Sequence, residues 1–338
     1  MWWSGRAQQC LQIGAEELVW AERVRSWFIR RPDRCVTRKL ESGLLALSPV
    51  EPNILNPTAL HEQVRTLVAP ARRRRTFGLR LRSSVPMPIV LLLPDVCVRT
   101  AVFELERMPR RAEEREALIR WRFSQEHLFP LSAAKVVYQR WVTPTAQRGD
   151  AGQTPTVTVL AAAIQESVLA QYEALCEACR LVPVAVTTAG LQLCHHWLER
   201  RAEGPAGDLA GDFLWVSLLD QTFSALAFRD GRLAFTRTKP LGGLDLLSPD
   251  DRASSLVKEV HTSLHLWNAA QPAAPRTTAA PRIVIAGTQA DQQFIQCMRE
   301  ESQVSAEIVD WSFFAKGAWS KQFAHTPLAA MPAVAALC

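Results

Sequence analysis

One stretch limits what this 338-residue chain can fold into: Asp212 to Gly243. Phe213 to Leu219 is apolar throughout except at Ser217, the pattern of a strand buried on both faces. Ser224 to Phe228 runs into Asp230-Gly231, a dipeptide that accepts the positive φ of a tight hairpin, and Leu233 to Arg237 returns. Gly242-Gly243 then interrupts the strand before a helical pattern begins. A strand covered on both sides belongs to an α/β protein.

The chain is long enough for two domains with proper cores. Hydrophobic residues make up 48% and charged residues 21%, which sets it apart from disordered sequences. Its net charge of +6 comes from 39 basic and 33 acidic residues, and four of the basic ones are the run Arg72 to Arg75. No aromatic residues interleave with that run, so it is expected as a solvated loop between a helix and a strand, with no nucleic-acid partner. The eight cysteines fall mostly in apolar segments, where a thiol packs as a small hydrophobe. Cys176-x-x-Cys179 lies inside a helical pattern without a second pair at zinc spacing. His195 and His196 are adjacent on a helix and point about 100° apart, so they cannot chelate together. No metal site is expected. No stretch reaches the ~18 apolar residues of a membrane span, and Met1-Trp2-Trp3 lacks the order of a signal peptide. A reduced, cytoplasmic protein without membrane insertion is the expectation.

Taken in order, Leu11 to Val24 suggests a strand, a turn and a strand, and Cys35 to Leu40 a third strand. Thr58 to Val68 is a helix behind Asn56-Pro57, with Leu60, Val64, Leu67 and Val68 on one face. Ile89 to Leu93 is a buried strand. Then comes a β-α-β-β-α unit: strand Val98–Leu105, helix Arg111–Phe129, strands Val136–Val142 and Val157–Ile164, and helix Ser167–Leu181. The glycine-rich stretch from Gly204 to Gly211 marks a boundary. Helix Ser254–Trp267, strand Ile283–Ala286, helix Asp291–Glu300 and an Ala-rich apolar segment from Pro327 to Cys338 follow.

Several of these pieces together resemble the PilM family of type IV pilus assembly proteins, within the actin-like ATPases. They are Leu93-Pro94, an acid-rich helix with Arg120-Trp121 that ends at Leu128-Phe129-Pro130-Leu131, the Val159 to Ala163 strand, and Val182-Pro183-Val184 leading to Leu193. Their order covers nearly the whole chain. The resemblance implies two ribonuclease-H-like half-domains with a small α/β domain inserted in the first. The first half would comprise 1–95 and 183–204, the insertion 96–182, and the second half 205–338 with a shortened subdomain at 244–281. It also implies a cytoplasmic scaffold, peripheral to the inner membrane, that holds the N-terminal tail of a PilN-like membrane protein. Other pilus platform proteins and a homo-oligomer are further possible partners. Related type II secretion platforms share the fold. The groove for the tail would lie beside the insertion, with Leu93, Val98, Val102, Trp121 and Phe129 as candidate contacts. Plain core packing is the favoured role for Trp121.

An actin-like nucleotide site needs three backbone turns and one or two acids. By resemblance, the first turn carries Asp-x-Gly to hold magnesium; this chain has Gln12-x-Gly14. The second turn aligns with Ser217-x-Leu219, with Asp220 three residues out of register. Gly242 and Gly243 follow it, and the adenosine turn retains Gly287. With these losses, magnesium–ATP is disfavoured as a cofactor, no catalytic residue is named, and the expected protein is a pseudo-ATPase. The alternative is an active actin-like ATPase with Mg-ATP between the halves.

Overall fold

The computed structural model describes residues 7–23, 32–75, 86–126, 129–142, 157–203, 211–229, 231–270, 281–288, 292–302, 306–310 and 327–337. The first sheet is built from β1 (Gln9–Ile13), β2 (Glu17–Arg23) and β3 (Pro32–Lys39), an antiparallel meander. β4 (Met87–Leu93) joins β1 in parallel, and β8 (Leu181–Thr188) joins β4 in parallel. The resulting order is β3-β2-β1-β4-β8. The second sheet repeats it. β9 (Phe213–Leu219), β10 (Thr222–Arg229) and β11 (Arg232–Pro240) form the meander, and β12 (Arg282–Gly287) and β13 (Ala306–Val309) add in parallel, giving β11-β10-β9-β12-β13.

Each large sheet is covered on both faces, which explains the unbroken burial of β1 and β9. On the first sheet, α1 (Pro57–Arg75) supplies Leu60, Val64 and Leu67 to one face. α3 (Glu166–Ala178) adds Val168, Tyr172, Leu175 and Cys176 to the same core, beside Leu11, Ile89 and Leu91. This helix therefore packs with the first half, although its position in the chain groups it with the insertion. On the second sheet, α5 (Pro249–Ala270) and α6 (Gln292–Ser302) pack Leu256, Val260, Trp267, Phe294 and Met298 against Leu214, Val216 and Ile283.

The remaining two faces share α4 (Ala189–Ala202) and the C-terminal segment. Trp197 of α4 meets Phe213 and Trp215 of β9 at centroid distances of 5.4 and 5.5 Å, within the range of favourable tilted ring pairs. α7 (Met331–Ala335) places Met331 in that cluster, while Ala330 and Ala333 pack on Cys10, Val90 and Leu92 of the first sheet.

A third sheet, β5-β7-β6, is formed by β5 (Arg99–Leu105), β6 (Ala134–Val142) and β7 (Val157–Gln165). α2 (Ala112–Glu126) covers one face with Ile119 and Phe123. The strand alternation puts Val159, Ala161 and Ala163 on that face and Leu160, Ala162 and Ile164 on the other.

Two expected elements change extent. α1 continues through Arg75, so the Arg run is the end of a helix and not a loop. Pro70 costs one backbone bond without stopping the helix. The hairpin region has two turns, not one, because β9 reverses at Asp220-Gln221 before the turn at Gly231. Asp230, the predicted partner of Gly231, lies outside the described residues, as does Leu128.

Candidate functional site: a closed cleft and an open groove

The carboxyl ends of β1, β4, β9 and β12 converge between the two large sheets, where open α/β sheets place their ligands. The β1–β2 turn holds Gly14, whose N–H donates to Glu17 O at 2.9 Å. The β9–β10 turn is Asp220-Gln221, with φ of 51° and 53°. Two consecutive positive φ values match the twist of a two-residue hairpin, and Asp tolerates them better than Gln. Ser217 and Leu219 therefore lie inside β9, both buried, and do not form a turn. The acid judged out of register from the sequence is the residue at the tip.

These two turns touch. Ala15 N donates to Asp220 Oδ1 at 2.9 Å, and Gln221 Nε2 donates to Glu16 Oε1 at 2.7 Å. A Cβ at Gly14 would collide with Asp220 Oδ1. Burial, with smaller contributions from Asp95, Glu17 and Glu16, pushes the Asp220 carboxyl up to about 7 against the pull of the Ala15 N–H. Gly287 closes the third side. Its φ is 124°, a Cβ there would strike Leu218 O, and Thr288 N donates to that same oxygen at 3.1 Å.

Gln12 faces elsewhere. Its side chain is 1% exposed, Nε2 donates to Ala329 O at 2.8 Å, and Oε1 accepts from Ala333 N at 3.1 Å. An amide carries both a donor and an acceptor, and this position uses both to grip the C-terminal segment. A carboxylate there could accept from Ala333 N but not donate to Ala329 O.

Asp95 forms the centre of the cleft floor. It follows β4 in a 3-10 turn, Asp95–Cys97, and is buried. Its Oδ1 accepts from Gly190 N at 2.8 Å, and its Oδ2 from Ser224 Oγ at 2.8 Å and Ser217 Oγ at 3.4 Å. Burial pushes its carboxyl up, and the Gly190, Ser224, Thr188 and Ser217 bonds pull it back. The available signal was its place: an acid directly after a fully apolar parallel strand. Gly242 and Gly243 contribute nothing here. They lie beyond β11, and a Cβ at either would meet open space.

The groove is separate. A cavity of about 550 Å³ opens between the first sheet and the face of the third that α2 does not cover. Leu93, Val186 and Thr188 line it from the first sheet, Val98 from the approach to β5, and Lys135, Val137, Leu160, Ala162 and Ile164 from β6 and β7. Val137 is 55% exposed. Of the five predicted contacts, Leu93 and Val98 line this groove. Val102 packs toward α4 and the second sheet, and Phe129 is buried under α2, 6.5 Å from the Phe123 ring. Trp121 is neither core nor groove: it is 56% exposed on α2, on the far side of the sheet, with the Arg122 guanidinium 5.9 Å from its ring. The core role expected of Trp121 is taken by Ile119 and Phe123.

With two like sheets, each a meander extended by parallel strands, and a cleft at their carboxyl ends, the chain has the actin-like ATPase fold. Its likeness is to a chain of a PilM–PilN type IV pilus biogenesis complex, at a TM-score of 0.71 with 19% identity, covering 98% of each chain. A protein with actin-like ATPase fold and unknown function from Bacteroides thetaiotaomicron aligns at TM-score 0.46 and 11% identity, over 91% of this chain and 93% of that one. The cytoplasmic domain of EpsL, an inner-membrane component of the type II secretion system of Vibrio cholerae, aligns at 0.40 and 11%, over 92% and 98%. No protein-family model matches the chain, and no curated protein gives a significant match. Among the described residues, no helix is long and apolar enough to cross a membrane, and no cluster of His, Cys, Asp or Glu could hold a metal ion.

Proposed function

We propose that this chain is a scaffold of a type IV pilus or related secretion platform, and that its groove holds the N-terminal tail of a PilN-like inner-membrane protein. The observation that carries this reading is the open apolar groove beside the third sheet, on a fold shared end to end with a chain of a PilM–PilN complex. An extended peptide there would bury apolar area against both sheets at ~25 cal/mol per Å². Its attachment would be peripheral, through the partner.

The cleft does not fit magnesium–ATP. Gln12 is committed to Ala329 and Ala333, and the two turns that would flank phosphates are bonded to each other. We read the protein as a pseudo-ATPase on those contacts. An active ATPase is the second reading, favoured only by the acid at the tip of the β9–β10 turn. Calorimetry with magnesium–ATP separates them: micromolar binding would overturn the first.

The scaffold is tested by anisotropy titration with the N-terminal tail peptide of a PilN-like inner-membrane protein. Ala162→Trp, which fills the groove from a half-buried position, is expected to weaken binding at least tenfold. Trp121→Ala, on the opposite side of the sheet, is expected to leave it unchanged. Loss with Trp121→Ala and none with Ala162→Trp would place the partner on α2 and refute the groove.

A further inference from the structure

The contact between the β1–β2 and β9–β10 turns has a property that a scaffold does not require. Asp220 belongs to the second half, and the acids that face it belong to the first: Glu16 and Glu17 of the β1–β2 turn, and Asp95 at the end of β4. Two further titratable groups sense it, Cys97 beside Asp95 and Tyr172 of α3, and both are neutral near pH 7 because burial pushes them up. Every ionised group named here carries the same sign as Asp220. Its Oδ1 has the Ala15 N–H as a donor, whereas its Oδ2 is shielded from solvent with no hydrogen-bond partner. A buried carboxylate oxygen without a donor costs far more than the same atom on a neutral carboxyl.

We propose that Asp220 is a proton-operated latch between the two halves: neutral, it keeps the turns in contact, and ionised, it drives them apart. Ionisation sets a charge of the second half against three acids of the first, with nothing on Oδ2 to offset it. Opening relieves both costs, since water reaches Oδ2 and the acids separate. The direction follows from linkage. The closed form holds its proton to about pH 7, while an open, hydrated Asp220 releases it near 3.8. Closure is therefore fully favoured below about pH 4, weakens about tenfold per pH unit up to about 7, and changes no further above that. Glu17, itself pushed up by burial and by Glu16, adds to the repulsion as it ionises.

The test is hydrogen exchange at the Ala15 amide from pH 5 to 8, corrected for intrinsic exchange, on the full chain. The opening constant is expected to rise about tenfold per pH unit from 5 to 7 and then level off. Asp220→Asn keeps the acceptor for Ala15 N and removes the charge, so its opening constant is expected to be flat. The double variant Glu16→Gln, Glu17→Gln keeps an acceptor for Gln221 and removes two repelling charges, so levelling off is expected at lower pH. A wild-type opening constant that does not vary with pH overturns the latch, as does the same rise in Asp220→Asn. If Asp220→Asn fails to fold, an unshifted profile in the double variant overturns it instead. None of these outcomes depends on the groove or on its partner.

Discussion

Replacing Gln12 by Ala should damage the protein out of proportion to the side chain's size. The substitution removes both hydrogen bonds of a buried amide and strands two backbone groups, Ala329 O and Ala333 N. Each net bond is worth about 0.5–1.5 kcal/mol, and leaving its partner buried and unpaired raises the loss toward 1–3 kcal/mol. The expected cost is about 2–4 kcal/mol, a large fraction of the stability of an ordinary domain. Gln12→Glu separates the two halves of the amide: Oε1 still accepts from Ala333 N, but the group facing Ala329 O becomes an acceptor once ionised. It should also destabilise, more above its pKa than below. Urea unfolding followed by tryptophan fluorescence measures both. Gln12→Asp, which restores an acid at this position, should destabilise without creating magnesium–ATP binding. If Gln12→Ala stays within about 0.5 kcal/mol of wild type, or Gln12→Asp gains nucleotide, the amide is not a structural clamp and the site is a repairable nucleotide turn.

Two further outcomes are expected. Gly190→Ala should cost about 1–3 kcal/mol by thermal unfolding, because its Cβ would meet Asp95 Oδ2 and Ser217 Oγ, whereas Gly242→Ala, with open space around it, should stay within about 0.5 kcal/mol; equal effects would refute the close-packed cleft floor. Burial, with Arg200 and His195 nearby, holds the His196 imidazole down at about 4, so the unfolded chain takes up that proton first as pH falls. The stability His196 confers is full above about pH 6.5 and is lost as pH falls toward 4, by about 3 kcal/mol. Urea unfolding of His196→Gln should lack this part of the acid sensitivity, and an unchanged slope between pH 4 and 6.5 would contradict the buried neutral imidazole.

The fold was legible wherever a strand is buried on both faces. β4, β9 and β12 read as apolar runs, β9 broken only at Ser217, and their order, with the punctuation at Pro94 and Gly287, was enough to suggest the halves. β13 was missed because four residues, Ala306 to Val309, show too little pattern to register as a strand. In the cleft, the resemblance set Ser217-x-Leu219 at the second turn, whereas Ser217 lies within β9 and its hydroxyl faces Asp95, 122 positions earlier. Asp95 could not be paired with Ser217 and Ser224 from sequence, since nothing local records a contact across two halves. Trp121 misled for a different reason: an aromatic on an amphipathic helix is usually core, but here the neighbouring Ile119 and Phe123 fill the space under α2.

The grip of Gln12 on the C-terminal segment has a consequence for the order in which the chain can assemble. Its two bonds join residues 317 and 321 positions apart, among the longest loops this chain can close. The back face of the first sheet, at Cys10, Val19 and Val90, is covered by Ala330, Ala333 and Leu337. On a ribosome, that face stays exposed until Ala330, Ala333 and Leu337 have emerged, so β1 is covered long after it is made. Contacts of such separation slow folding and lengthen the time for which apolar surface is open to misassembly. The first half therefore cannot mature as an independent unit during synthesis. Anything that delays or blocks the segment carrying Ala329 to Leu337 should be felt first at β1.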